Sequence, residues 1–253
     1  MSLSEVIFWA TVSISGIVIG AYVGTKFQFM HSSIAKTMAI AAGLLIAAAT
    51  IELVNEAVEN ISLIFAVPAL LAGALGFSIG NNYLNNLGAK NRKRCGECAS
   101  QASEQEKPGS GLAITLGTAM DAIPESIVLG LSFFTIGINY SLILAIALGN
   151  LPEALSGSVG MLHAGRSKKW IFKIWGSVAL LSIFLTILGY VLAESLSPPV
   201  VGFLQLFGAG ALIAMVSETL IPEAFHESPK YSGTLVAIGF VLLLFVNIKL
   251  SMH

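Results

Sequence analysis

Hydrophobic residues fall along this chain in long blocks, and a helix needs roughly 20 of them to cross a bilayer. Eight blocks qualify, at approximately 6–25, 34–58, 61–86, 111–136, 138–163, 169–193, 199–225 and 232–250. The pattern predicts an all-α integral membrane protein with eight transmembrane helices, a single domain over residues 1–253. The basic residues give it a direction. Lys26 and Lys36, then Lys90, Arg92, Lys93, Arg94 and Lys107, then Arg166, Lys168, Lys169 and Lys173, and last Lys230 all follow odd-numbered blocks; only Lys249 lies at the opposite side. Lys and Arg concentrate on the cytoplasmic face, so both termini are expected to be extracytoplasmic in a multi-pass protein of the cell (inner) membrane. Residues 87–110 make the only long loop, rich in Lys, Glu, Ser and Gly, and are expected to be a flexible cytoplasmic segment.

Composition narrows the class. Of 253 residues, 55% are hydrophobic and 11% charged, about half the charged share of a soluble domain. The net charge of −1 averages two unlike faces and points to no partner. The first block is long enough to span and has no basic stretch before it, so it reads as a retained helix instead of a cleaved signal. Gly16, Gly20 and Gly24 in the first block, with Gly76 and Gly80 in the third, let helices approach closely. Static packing is the plainer use of them, a sliding seam the second. The two cysteines, Cys95 and Cys98, share the loop and exclude a disulfide-stapled fold. Cys95-Gly96-Glu97-Cys98 is half a zinc site by spacing, without a second half, and a reduced dithiol is the plainer reading.

The chemistry lies in acids placed inside apolar blocks. In Met120-Asp121-Ala122-Ile123-Pro124-Glu125-Ser126, Asp121 and Glu125 are four apart and share a helix face, and Pro124 frees the Met120 carbonyl. Gly149-Asn150-Leu151-Pro152-Glu153 and Leu220-Ile221-Pro222-Glu223-Ala224 repeat the Pro-Glu pair. By residue count, Asp121 and Glu125 lie halfway along the fourth block, Asn150 and Glu153 halfway along the fifth. Buried acids cost several kcal/mol each when ionised and unpaired. No Lys or Arg is expected at that depth, so a bound cation between the fourth and fifth spans is the expectation, held by Asp121, Glu125, Asn150 and Glu153. The plainer alternative is a kinked helix with acids protonated or bonded to nearby hydroxyls. Glu52 and Glu56, with Asn55 and Glu59, close the second block at its outer end, as an ion-entry mouth or as solvated interfacial acids. Glu223 and His226 close the seventh at the inner end, as exit ligands or ordinary interfacial groups. Asn55-Glu56-Ala57 aligns with Pro222-Glu223-Ala224, as an inverted repeat of spans 1–3 and 6–8 would produce (3+2+3), an arrangement common around midplane transporter sites.

Eight spans, a polar loop after the third, and Pro-Glu motifs in spans four and five resemble the ZIP (Zrt-, Irt-like) family of divalent metal transporters. The resemblance covers the whole chain in topology and is specific at Pro124-Glu125 and Pro152-Glu153; the Glu56 and Glu223 neighbourhoods resemble the family's Leu-Pro-Glu endings of spans two and seven. It implies a single or binuclear metal site between spans four and five and uptake of zinc, iron or manganese toward the cytoplasm. It also implies an elevator-like or rocking motion of spans 1, 4, 5 and 6 against the others. The chain departs from the family motif His-Asn-x-Pro-Glu-Gly at Asp121, Ala122 and Ser126. It has Gly149 where span five usually has histidine, and no acid at mid-depth in span six. What remains is an all-oxygen set, which suits manganese, magnesium or calcium, with ferrous iron between these and zinc. The expected partners are metal ions and the lipid bilayer, with no organic cofactor and no nucleic acid; a homodimer is compatible. A metallohydrolase would need histidine ligands and an open metal position, yet His31, His163, His226 and His253 all lie near span ends, so no enzyme is expected. The alternative is a proton-coupled transporter of a non-metal solute using the same carboxylates as a relay.

Overall fold

The computed structural model of the chain describes residues 1–27, 30–93, 101–228 and 230–251. Cys95, Cys98 and His253 lie outside them. Among the described residues eight helices are long and apolar enough to cross a membrane: α1 (Leu3–Lys26), α2 (His31–Val58), α3 (Leu63–Ala89), α4 (Ser110–Thr135), α5 (Tyr140–His163), α6 (Lys168–Ser195), α7 (Pro198–His226) and α8 (Ser232–Leu250). No bound departs from its expected block by more than three residues. The chain is a multi-pass membrane protein built from helices. Polar residues in the breaks set the starts. Ser2 and Glu5 exchange hydrogen bonds at the head of α1, with the Ser2 N–H 2.7 Å from the Glu5 carboxylate. Asn139 accepts from the Leu142 N–H at 2.9 Å to cap α5, and Ser167 caps α6, as expected of short polar side chains at helix N-termini. Outward-facing apolar side chains such as Leu63, Ile64, Leu71 and Leu75 on α3, and Val241 and Phe245 on α8, are exposed, the surface expected of helices that face hydrocarbon.

The helices sort into two groups by what they lie against. α1 runs along α5 and α6, and α4 along α6. α3 runs along α7, α8 along α2, and α2 meets α7. Within each group the helices meet backbone to backbone at glycine. A Cβ at Gly16, Gly20 or Gly24 would overlap the Ala147, Leu151 or Leu155 carbonyl of α5, and Gly43 and Gly239 do the same between α2 and α8. The α1 glycines are therefore used for close packing. Between groups, where α2 meets α5 and α4 meets α7, side chains rest on glycine instead: Leu45 on Gly149 and Val128 on Gly208.

α4 and α5 stay helical through Pro124 and Pro152. The departures from α geometry lie in α2 and α7, which widen into π-helical turns at Ala48–Val54 and Val216–Leu220. The wide turn in α7 comes just before Pro222, where it makes room for a ring that an α-turn would crowd. α3 also ends in a π-helical turn, Asn85–Ala89, inside which Gly88 takes φ 121°. That left-handed residue reverses the chain, and a tight turn (Arg92 N–H to Ala89 O, 3.1 Å) aims residues 90–93 back into the bundle.

Candidate functional site: a carboxylate cluster closed by two tethered cations

Asp121 and Glu125, one turn apart on α4, and Asn150 and Glu153 on α5 are all buried, with at most 6% of each exposed. The structure brings these four together as their spacing implied. Asn150 and Glu153 are both neighbours of the Glu125 carboxylate.

One expectation is overturned. The acids were to lie beyond reach of any Lys or Arg, yet Arg92 and Lys93 are both buried against them. The reversal at Gly88 carries these two residues inward from the end of α3. Arg92 grips Asp121 with a fork, Nε to Oδ2 at 2.9 Å and Nη2 to Oδ1 at 2.7 Å, the planar match that guanidinium makes with carboxylate. Its remaining donors go to the Asn81 and Asn85 side-chain oxygens of α3, at 2.9 and 3.2 Å. Lys93 Nζ lies 2.6 Å from Glu153 Oε2, 3.3 Å from Asp121 Oδ2 and 3.3 Å from Thr219 Oγ1 on α7. The backbone of this turn is fixed as well: Gln101 Nε2 donates to the Arg92 and Gly157 carbonyls at 2.8 and 3.2 Å, and the Ser156 hydroxyl donates to the Lys93 carbonyl.

The cluster thus holds three carboxylates and two cations, and it retains acceptor capacity. Glu125 Oε1 and Glu153 Oε1 are buried without a hydrogen-bond partner, which is costly in a site closed to water. Among the described residues no three His, Cys, Asp or Glu side chains stand together as a metal-holding group. The physical reason is visible at Asp121 and Glu153: Arg92 takes both oxygens of one, and the Lys93 ammonium stands between the two acids.

The other candidate residues form separate groups toward the two ends. Away from the loop, Glu52 is buried and accepts from Asn139 Nδ2 at 2.8 Å and Asn247 Nδ2 at 2.7 Å. Glu56 accepts from Gln205 Nε2 at 2.6 Å and from Thr135, with Ser132 at 3.4 Å. Glu59 is exposed and shares with Glu56 a cavity of about 340 Å³. Asn55 is exposed. At the basic end, a cavity of about 140 Å³ is lined by Lys93, Glu218, Thr219 and Glu223 among others. Glu218 accepts from Ser78 and from Asn81 Nδ2 at 2.7 Å, Glu223 is buried, and His226 is exposed. Glu52 and Glu56 thus stand with partners of their own, whereas Glu223 shares a cavity wall with Arg92 and Lys93.

The second flank of the loop is tied down on its own. Glu104 accepts from the Gly109 and Gly111 N–H groups at 2.8 and 2.6 Å, at the head of α4, and meets Arg166 at 3.1 Å. Those backbone donors, with the Ser110-bound Arg166 beside them, hold the Glu104 carboxyl below its usual range. No family model matches this chain, and no curated protein matches it significantly.

Sequence reasoning missed Arg92, Lys93, Gln101, Asn81 and Asn85. A signal existed: Asn81 and Asn85 place two amides one turn apart inside the third span, where polar side chains need partners, and Gly88 follows as a chain-reversing residue before the basic pair.

Proposed function

We propose that this protein is a divergent transporter of divalent metal cations, ZIP-like in architecture, that carries ions of the zinc, iron and manganese class toward the cytoplasm through the cluster of Asp121, Glu125, Asn150 and Glu153. The observation that carries the reading is the pair of buried, donor-less oxygens, Glu125 Oε1 and Glu153 Oε1, in the middle of adjacent membrane spans. Carboxylate oxygens shut away from water need a positive partner, and two such oxygens on neighbouring acids suit an ion. The helix pairing supports an inverted repeat. Exchanging α1 with α6, α2 with α7, α3 with α8 and α4 with α5 turns the α1–α5 contact into α6–α4, α3–α7 into α8–α2, and α2–α5 into α7–α4. The π-helical turns of α2 and α7 are exchanged too. Such repeats accompany alternating access around a central site, and α1, α4, α5 and α6 would be the group that moves. In this reading the Lys/Arg-rich end is cytoplasmic. Glu56 and Glu59 then stand at the outer mouth, and Glu223 and His226 at the inner one. The all-oxygen donor set favours manganese and ferrous iron over zinc.

Purified protein in liposomes tests the reading by Mn²⁺ uptake. Glu125→Ala and Glu153→Ala are each expected to abolish uptake while the protein still melts cooperatively; robust uptake by both variants overturns the site assignment. The rival, a proton-coupled carrier of a non-metal solute, is favoured by the ammonium already seated among the acids. Thermal stability separates the two: a bound metal at 100 times its Kd adds about 2.7 kcal/mol, whereas the rival expects no Mn²⁺-dependent shift.

A further inference from the structure

We propose that Lys93 is a tethered counter-cation that keeps the cargo's seat and admits only divalent ions, moving its ammonium from Asp121 and Glu153 to the cavity of Glu218 and Glu223 when one enters. This rests on reading the central cluster as the cargo site. Four observations carry it. The Lys93 ammonium has the surroundings of a bound cation, with Glu153 at 2.6 Å and Asp121 at 3.3 Å. Its third contact, Thr219 at 3.3 Å, lies on the wall of the 140 Å³ cavity that Lys93 itself lines together with Glu218 and Glu223. Rotations about the lysine stem therefore lead from one pair of acids toward another. The backbone at Arg92 and Lys93 is pinned by Gln101 and Ser156, so the side chain can leave without the loop leaving. Arg92, in contrast, is committed to Asp121, Asn81 and Asn85. A lysine is a point charge on a flexible stem, whereas the arginine fork is set in one geometry, and the two neighbours divide the work accordingly.

Charge balance supplies the selectivity. With Lys93 seated, the carboxylates of the cluster face two positive charges. A monovalent ion that takes the ammonium's place leaves that charge unchanged, having gained nothing for the loss of its own hydration. A dication adds one further positive charge among the acids. Lys93 is thus a specificity-determining residue as well as a seal against ions of the wrong charge.

Full-length wild-type protein in detergent provides the first test, by amine acetylation read out by mass spectrometry with and without MnCl₂. Lys93 is expected to be protected in the absence of metal and in NaCl of equal ionic strength, and labelled several-fold faster with Mn²⁺. Calorimetry with Mn²⁺ provides the second. Lys93→Gln is expected to bind at least about tenfold more tightly than wild type, because no ammonium has to be displaced, and to lose its indifference to Na⁺. Lys93→Arg, which keeps the charge, is expected to bind more weakly than Lys93→Gln, and cooperative melting of both variants confirms that they fold. Mn²⁺ binding to wild type without labelling of Lys93, or equal affinity in wild type and Lys93→Gln, overturns the proposal and leaves the cargo site standing. No Mn²⁺ binding by either protein overturns both.

Discussion

Removing Arg92 puts a number on the ion pair that closes the cluster. Arg92→Met takes two charge-assisted hydrogen bonds from Asp121, each worth about 1.5–3 kcal/mol, and strips the donors from Asn81 and Asn85. It leaves Asp121 with Lys93 at 3.3 Å as its remaining cation. Breaking one side of a buried pair costs about 3–5 kcal/mol, and the surviving lysine places the expected loss near the lower end of that range. Asp121→Leu alone strands the guanidinium between two amides and is expected to cost a similar amount. The double variant removes both charges together, and an apolar replacement of a buried pair is often neutral. Its loss should therefore be no greater than that of either single change, a coupling of about 2 kcal/mol or more. Unfolding by SDS in mixed micelles, followed by tryptophan fluorescence, measures all four proteins. Additive single losses, or an Arg92→Met protein within about 0.5 kcal/mol of wild type as for an ordinary surface change, would refute the reasoning.

Two further predictions read the packing and the loop. Gly20→Ala pushes a methyl into the Leu151 carbonyl and is expected to destabilise by about 1–3 kcal/mol, as overpacking does, whereas at Gly76 the nearest atom to a Cβ is the tip of Phe207 at 3.6 Å and Gly76→Ala should be close to neutral in the same assay. Glu104 titrates below its unfolded value because the Gly109 and Gly111 amides and Arg166 favour its anion. Its contribution is complete above the ordinary carboxylate pKa and lost as pH falls through the depressed one. Hydrogen exchange over residues 101–111, corrected for intrinsic rate, should therefore accelerate on acidification. Glu104→Gln should show the fast exchange already at neutral pH; identical protection in variant and wild type counts against the capping role.

Much of this was legible from residue order, and the part that was not has a physical reason. Span boundaries follow from where apolar runs stop, and helices in hydrocarbon have no other way to satisfy their backbone. The meeting of Asp121, Glu125, Asn150 and Glu153 followed from helical spacing and from two adjacent spans with acids at mid-length. Arg92 and Lys93 were hidden because charge and position both argue for solvent: they sit in a basic, loop-like stretch, and a window that scores hydropathy assigns them to the interface. Their burial depends on left-handed backbone at Gly88 (φ 121°) and Asn91 (φ 63°), and on acids 28 or more residues further along the chain. Tertiary contacts of that kind leave no local period to read. The acids near the ends misled for the opposite reason. Glu52 looks like an interfacial carboxylate, but its partners Asn139 and Asn247 come from distant parts of the chain, so its burial could not be inferred from its neighbours.

The polar contacts also share a placement that bears on how such a protein could move. Asp121 and Glu153 belong to the α1, α4, α5 and α6 group, while Asn81 and Asn85 on α3 and Thr219 on α7 belong to the other; Arg92 and Lys93, at the end of α3, bond to both. At the opposite end, Glu56 of α2 and Gln205 of α7 meet Thr135 of α4, and Glu52 of α2 meets Asn139 at the head of α5. The directional bonds between the groups therefore concentrate at the centre and at one end, and the stretches between are side chains lying on Gly149 and Gly208. Apolar contacts of that sort change little in energy when a helix shifts along its neighbour, whereas a buried ion pair is lost abruptly. Any displacement of one group against the other therefore has to break the bonds of a few polar residues, Lys93 foremost, since its ammonium meets Asp121 and Glu153 on one side and Thr219 on the other.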